Sequence, residues 1–330
     1  MNTIDYKTPY SLTTKTNKYL RLIERKCNML GSYESSNNFV ILRKLSRIKS
    51  IYSSLAIEAN TLKLNEVNLL AQGKKIDAPY KEKMEAINAI AAYEEMDNVN
   101  PFKLKELLRI HGLMTHNLID ESGKFRTRGV GVFRSDGTIV HLAPSFKMVP
   151  SLVENLFKWL NESDEDLIIK SCVFHYELEF IHPFNDGNGR IGRYWQTALL
   201  SKENPVFKFV PIENSILEHQ SEYYKVIETC DKKGDSTEFI EFMLEIINES
   251  LDKLLIDVDK HMNVFGEKAV KLSESMDDEP KTAKFLMEKL KLKSLKGFRQ
   301  NYLHPALELG LIQMTIPDKP TSKNQKYYKI

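Results

Sequence analysis

The sequence predicts a mostly helical protein of about two domains. Three observations carry this reading. Apolar residues recur at spacings of three and four through the body of the chain, a single hairpin signal interrupts them, and residues 281–330 separate from the rest in charge and pattern. With 330 residues and 42% hydrophobic content, the chain can bury large cores.

The first helix signal with chemical interest is set out by Ile41, Leu42, Leu45, Ile48, Ile51 and Tyr52. It runs into Ser53-Ser54-Leu55-Ala56-Ile57-Glu58-Ala59-Asn60, where Ser54 and Glu58 stand four apart on one face. From spacing alone, Glu58 reads as a helix-end or surface acid. Leu108 to Met114 forms another apolar run, and its His111, like His175 further on, reads as a core histidine with its hydrogen bonds satisfied. Val130-Gly131-Val132-Phe133 and Thr138-Ile139-Val140-His141 are β-prone and flank Asp136-Gly137, a strong hairpin turn signal. Local evidence leaves open whether this hairpin is a surface loop or has a task.

The most informative stretch follows. Ser163-Asp164-Glu165-Asp166 is an acidic helix start, and Leu167, Ile168, Cys172, Phe174, His175, Leu178 and Ile181 continue at helical spacing to His182. Pro183 pushes His182 out of the helical region and releases a loop. Ile191, Tyr194, Trp195, Ala198 and Leu199 then restart the helical pattern, so Gly187-Asn188-Gly189 falls at a helix start, where free N–H groups attract anions. Glycine lets a phosphate approach the main chain without a side-chain clash. Arg190 and Arg193, three apart, suit the outer phosphates of a polyphosphate. His182 suits a general base at neutral pH, and Asp186 is a hard oxygen ligand for Mg²⁺ on a nucleotide. Phe184 reads as pointing inward and pinning the loop.

His182, Phe184, Asp186, Gly187-Asn188-Gly189-Arg190 and Arg193 resemble the signature of the Fic family at every defining position. The likeness extends by order of features over residues ~10–260 and implies the mostly helical Fic-type bundle, with residues 1–100 as an N-terminal helical region and 101–262 as the catalytic core. It further implies transfer of AMP from ATP to a Tyr, Ser or Thr hydroxyl of a protein, self-modification included. His182 would be the base, Asp186 the Mg²⁺ ligand, and Gly187, Asn188 and Gly189 the anion hole. Arg190 and Arg193 would hold the β- and γ-phosphates. Ser54 and Glu58 resemble the family's inhibitory helix, in which the Glu pairs with the second arginine, here Arg193, and occupies the place of the γ-phosphate. Ala59 departs from that pattern, which has Gly or Asn there. The hairpin resembles the family's flap, with Thr138, Ile139 and Val140 binding a protein target by strand pairing. Gly123-Lys124-Phe125-Arg126 and Ala143-Pro144 resemble the family's flap surroundings. Tyr223 and Tyr224 resemble a position near the nucleotide, and packing accounts for them equally well. Two rivals share these residues: removal of AMP from a modified target, with Glu58 aligning a water, and a DNA-binding regulator whose core only senses nucleotide.

The C-terminal part begins after Ser273-Glu274-Ser275-Met276-Asp277-Asp278-Glu279-Pro280, within a stretch, 263–280, that reads as a linker. Residues 281–330 hold eleven Lys and Arg against three acids, a net charge of +8 in a chain whose total is +2. Thr282–Lys291 and Leu295–Leu309 read as helices, Gly310 as a stop, and 311–316 with 325–330 as two strands, an order that suggests a winged helix. The segment from Asn301 to Ile312 resembles a module that many bacterial Fic proteins append. Its charge permits contact with DNA phosphates, and a dimerisation or docking module is the alternative, since Pro305 interrupts simple docking in a groove. Three widely separated cysteines argue for reduced thiols in a cytoplasm. No apolar stretch approaches the ~20 residues that span a bilayer, and the N-terminus lacks a secretory signal, so a cytoplasmic protein without membrane partners is expected.

Overall fold

Helices account for nearly all regular structure in the computed structural model, which describes residues 9–31, 37–133, 139–261, 267–277, 279–320 and 322–330. In order these are α1 (Thr14–Gly31), α2 (Asn37–Ile57), α3 (Leu64–Ala71), α4 (Tyr80–Glu94), α5 (Leu104–Met114), the hairpin β1 (Gly131–Phe133) and β2 (Ile139–Leu142), and α6 (Val149–Glu162). Then come α7 (Leu167–Ile181), α8 (Asn188–Glu203), α9 (Ile212–Glu218), α10 (Gln220–Lys233), α11 (Thr237–His261) and α12 (Glu267–Glu274). The chain finishes with α13 (Ala283–Lys289), α14 (Leu295–Phe298), α15 (His304–Glu308) and a second hairpin, β3 (Ile312–Met314) with β4 (Tyr327–Lys329). Two units divide it: Met1–Asn28 with Ser46–Leu251, and Met29–Leu45 with Asp252–Ile330.

In the first unit α7 and α8 pack against each other, and both are buried on nearly every side. Apolar residues all round mark a helix that belongs in the centre of a bundle. Phe174, Leu178 and Ile181 of α7 and Ile191, Trp195 and Leu199 of α8 share one core with Leu107 and Ile110 of α5 and Val153 and Leu156 of α6. Trp195 is fully buried and donates its indole N–H to the Pro101 carbonyl at 3.1 Å, which satisfies the only polar atom it carries inside. Asp166 caps α7 by accepting from the Ile168 amide at 2.7 Å, so the acidic start read from sequence is a working cap.

The first hairpin pairs antiparallel, Gly131 with Leu142, Val132 with His141 and Phe133 with Ile139, and its register slips between Val132 and Phe133. The Asp136-Gly137 turn and Thr138 lie outside the described residues.

The second unit has its own apolar cluster. Ala269 and Leu272 of α12 belong to it, together with Leu286, Phe298, Leu303, Ala306, Ile312 and Tyr327. The stretch expected as a linker, 263–280, therefore carries a packed helix, because Ala269 and Leu272, three apart, present one apolar face. The helix expected over Leu295–Leu309 is present but irregular. A π-helical turn, Arg299–Leu303, sits between α14 and α15, immediately before Pro305. Proline has no N–H to give the carbonyl four residues back, and a widened turn is a way to keep the axis running through it. Gly310 stops the helix in the left-handed conformation, φ 64°, as its sequence position suggests. β3 and β4 pair antiparallel, Gln313 opposite Tyr328, and Tyr327 also bridges to Lys281. Among the described residues no helix is long and apolar enough to cross a membrane.

Candidate functional site at the start of helix α8

The loop between α7 and α8 is held in place by side chains of its own and of α5. Phe184 is fully buried and stacks on His111 of α5, ring centroids 3.6 Å apart. Asn188 grips the same residue twice, its Oδ1 accepting from the Phe184 amide and its Nδ2 donating to the Phe184 carbonyl, both at 2.9 Å. The Asn188 side chain is thereby engaged at both of its polar atoms and holds the loop. His111 accepts from the Gly123 amide at Nδ1, and so Nε2 carries the proton it donates to the Asp186 carbonyl at 2.9 Å. The histidine read as a satisfied core residue is one, and it also sets the backbone of the proposed metal ligand. Burial pushes its imidazole down to about 4, against the Asp186 carbonyl's pull, so it stays neutral.

His182 follows the last residue of α7 in the left-handed conformation, φ 48° and ψ 60°. The helix ends where Pro183 requires, and His182 leaves the helical region, as expected, for the left-handed one. A non-glycine residue held there is strained, and such strain collects at functional sites. Its Nδ1 lies 3.3 Å from the Glu179 carbonyl, which can only accept, so in the neutral ring Nδ1 carries the proton and Nε2 keeps its lone pair.

Four residues on, the half-exposed Asp186 carboxylate accepts from Arg190 Nη2 at 2.9 Å. Arg190 Nε and Nη1 are buried without a hydrogen bond, and Glu85 Oε1 lies 3.8 Å from Nη1. A buried guanidinium with idle donors is primed for a polyanion. Gly187 begins α8 at φ 85°, where a side chain would also run into Thr115.

Arg193 is the contested arginine. It is buried and donates through Nη2 to Glu58 Oε1 at 2.8 Å and to the Ser54 carbonyl at 3.1 Å, and through Nε to Ser54 Oγ at 3.2 Å. Burial is the largest single effect and works against its charge, but Glu58, Tyr223 and Glu179 together leave its pKa above the ordinary arginine value. A side-chain carbon added at Gly189 would come within 2.3 Å of Glu58 Oε1, so the carboxylate lies directly against the backbone expected to receive phosphate. Ser54, Glu58, Arg193 and Gly189 are thus brought together, as the sequence suggests.

The departure at Ala59 is resolved by its backbone. Ala59 takes φ 62°, its amide reaches the Ala56 carbonyl at 3.0 Å, and the Asn60 amide reaches Leu55 at 3.1 Å. This is a Schellman ending with an alanine in the left-handed place of a glycine. It positions Glu58 as the residue just past α2.

Sequence reasoning named Asn60, Arg126, Tyr223 and Tyr224 without finding their partners, and it missed Gln220. Asn60 Nδ2 donates to Glu85 Oε2 at 2.8 Å, which links the end of α2 to the neighbourhood of Arg190. Gln220 Nε2 and Tyr224 Oη of α10 donate to the Ile57 carbonyl at 3.0 and 3.3 Å. Tyr223 is buried and bonds to His175. Arg126 gathers carbonyls behind His182. Gln220 carries no sequence signal beyond its polarity, and the resemblance that marked the others names no partner. Ile139 and Val140 fall on β2, as their β-prone run predicts, while Thr138 is outside the described residues.

A helical bundle that offers a loop histidine, a carboxylate and two arginines at the start of a buried helix defines a class of phosphate-handling proteins. The chain belongs to the Fic family. The Fic/DOC family model matches residues 101–200, and the model of the C-terminal domain of filamentation induced by cAMP protein Fic-like matches 267–329. The crystal structure of a Fic family protein from Desulfovibrio desulfuricans G20 is 36% identical, with a TM-score of 0.73 and coverage of 98% of each chain. Protein adenylyltransferase Fic of Aedes aegypti is 29% identical over 255 residues, 72% of this chain and 48% of that protein. Protein adenylyltransferase fic-1 of Caenorhabditis briggsae is 24% identical over 268 residues, 74% of this chain and 50% of that protein. The chain spans about half the length of the curated relatives it matches.

Proposed function

We propose that the chain is a Mg²⁺-dependent protein adenylyltransferase restrained by its own Glu58. The observation that carries this reading is the loop itself, with a base, a carboxylate and two buried arginines at one helix start and the Nε and Nη1 of Arg190 without hydrogen-bond partners. Nε2 of His182 takes the proton of a Tyr, Ser or Thr hydroxyl as its oxygen attacks the α-phosphorus of ATP, and the bond to the leaving pyrophosphate breaks. Arg190 and Arg193 hold the outer phosphates, and the N–H groups of Gly187, Asn188 and Gly189 receive negative charge as it develops. Asp186 fits a magnesium ion, since its carboxylate is a hard donor, is 40% exposed and engages Arg190 through Oδ1. When bound, the ion would neutralise phosphate charge. Catalysis is then mainly positioning and charge neutralisation.

Glu58 acts as the brake because a γ-phosphate and a carboxylate cannot both pair with Arg193. The named relatives support the activity and the choice of ATP. Backbone pairing at β2, by Ile139, Val140 and the adjoining Thr138, would present the target hydroxyl to His182. For the second unit we propose a winged helix, supported by its order of helices and hairpin and by the Lys281 bridge. Its basic balance suits DNA phosphates, with self-association as the alternative. A bacterial cytoplasmic setting accords with three buried, unpaired cysteines.

The test is Glu58→Gly protein incubated with ATP and Mg²⁺ and weighed by mass spectrometry. One AMP per modified site is expected, on itself or on a lysate protein, lost with EDTA and lost in Glu58→Gly/His182→Ala. Assay of AMP removal from that product separates the opposite reading, which predicts that Glu58→Gly loses activity. Tight DNA binding with no adduct would replace both by the regulator.

A further inference from the structure

We propose that Arg126 is a positioning residue that fastens the base His182 to both arms of the flap, so that the flap and the base keep one common register. This rests on the adenylyltransferase reading for its consequence, but its geometry stands alone. Arg126 is 2% exposed. Among the described residues its guanidinium donates only to carbonyls: Nε to His182 at 2.7 Å, Nη2 to Ile181 at 3.3 Å and to Pro144 at 2.5 Å, and Nη1 to Arg128 at 2.9 Å. Its own amide donates to the Pro183 carbonyl at 2.9 Å.

Each acceptor has a reason to need it. Ile181 and His182 end α7, where carbonyls lose their helical partners, and a cation suits the negative end of the helix dipole. Arg128 precedes β1 and Pro144 follows β2, so the two remaining carbonyls belong to the two roots of the hairpin. One rigid planar fork therefore spans three chain segments, and one of them is the left-handed residue that carries the base. Lysine cannot replace it, because an ammonium offers three donors from one point and no fixed plane. A target strand laid on β2 is then registered against His182 through the roots of the hairpin. A displacement of about 1 Å at a reacting group can cost on the order of 100-fold in rate, so a loosened fork should show in kcat.

The experiment compares Arg126→Lys with its parent in the Glu58→Gly background. With a protein target, kcat is expected to fall at least about tenfold, while the Kd for ATP measured without target stays within about twofold, since the hydrogen bonds of Arg126 described above go to none of Gly187 to Arg193. Hydrogen exchange, which needs no activity, supplies the second readout. Amides of residues 131–133 and 139–142 and those of His182 and Phe184 are expected to exchange faster together. If the parent shows no transfer, the adenylyltransferase reading fails, and coupled exchange still decides the role of Arg126. Should Arg126→Lys not fold, Pro144→Gly keeps the guanidinium but frees one root, and faster exchange at His182 is expected. Exchange that rises at the hairpin alone or stays unchanged at both, or a loss of ATP affinity equal to the loss of kcat, overturns the proposal.

Discussion

Ala59 shows how much a single residue's backbone decides. Left-handed conformation costs a residue with a Cβ roughly 1–2 kcal/mol, and Ala59 bears that cost at the end of the helix that carries Glu58. Glycine removes the penalty and returns part of it as unfolded-chain entropy, roughly 0.4–1 kcal/mol. Ala59→Gly is therefore expected to raise stability by about 0.5–1 kcal/mol in urea denaturation, with Glu58 still on Arg193 and the basal transfer rate unchanged. A destabilised variant would show that Ala59 packs in a way its backbone does not reveal. The residues expected to face phosphate were legible in the sequence because each offers its own chemistry at a fixed spacing. Asn188 was legible only in part, since nothing in its spacing says that its amide is consumed by Phe184. His111 was legible as a buried histidine, but its partner Asp186 lies on another element, 75 residues away in sequence.

At the scale of elements, α2 is restrained by more than its glutamate. Its last carbonyl, Ile57, receives hydrogen bonds from Gln220 and Tyr224 of α10, so α10 holds the end of α2. A hydrogen bond of this kind contributes about 1 kcal/mol, and two removed together move a two-state balance roughly 30-fold. Gln220→Ala/Tyr224→Phe is expected to raise self-adenylylation by about 30-fold over the unmodified chain, short of the Glu58→Gly level, in a radiolabelled ATP assay. An unchanged rate would mean that the Arg193 pair alone holds α2. Helices α7 and α8 were legible because apolar spacing and an acidic start mark their bounds. The irregularity of α14 and α15 was announced by Pro305 without its form, since a π-helical turn is a compromise among neighbours and not a preference of five residues. Helix α12 was hidden by its polar surroundings in sequence. Only the packing of Ala269 and Leu272 makes it an element.

For the molecule as a whole, the core built on α7 and α8 carries a pH dependence of stability. His175 is fully buried, with Nδ1 2.7 Å from Gln196 Oε1 and Nε2 3.0 Å from Tyr223 Oη. An amide oxygen only accepts, so Nδ1 holds the single proton and Nε2 accepts from the tyrosine. Burial pushes this imidazole down to about 3, the Gln196 bond opposing and the Arg193 charge assisting. Glu179 Oε1, 3.9 Å from Nε2, is the carboxylate in range of the ring and does not reverse the effect of burial. In the unfolded chain the same ring takes its proton near ~6.5. The unfolded state therefore binds more protons between these values, and stability rises with pH across that window. The contribution is whole above about 6.5 and is lost as pH falls toward about 3. Lowering a pKa by one corresponds to about 1.4 kcal/mol, so a loss of several kcal/mol is expected. His111, down to about 4, adds in the same direction. Urea denaturation at pH 7, 6, 5 and 4 should give a falling unfolding free energy, and His175→Gln should flatten the upper part of that fall. A curve level from pH 6.5 to 5 in the unmodified chain would mean that the core admits an imidazolium, and the assignment of His175 as a neutral core residue would then be wrong.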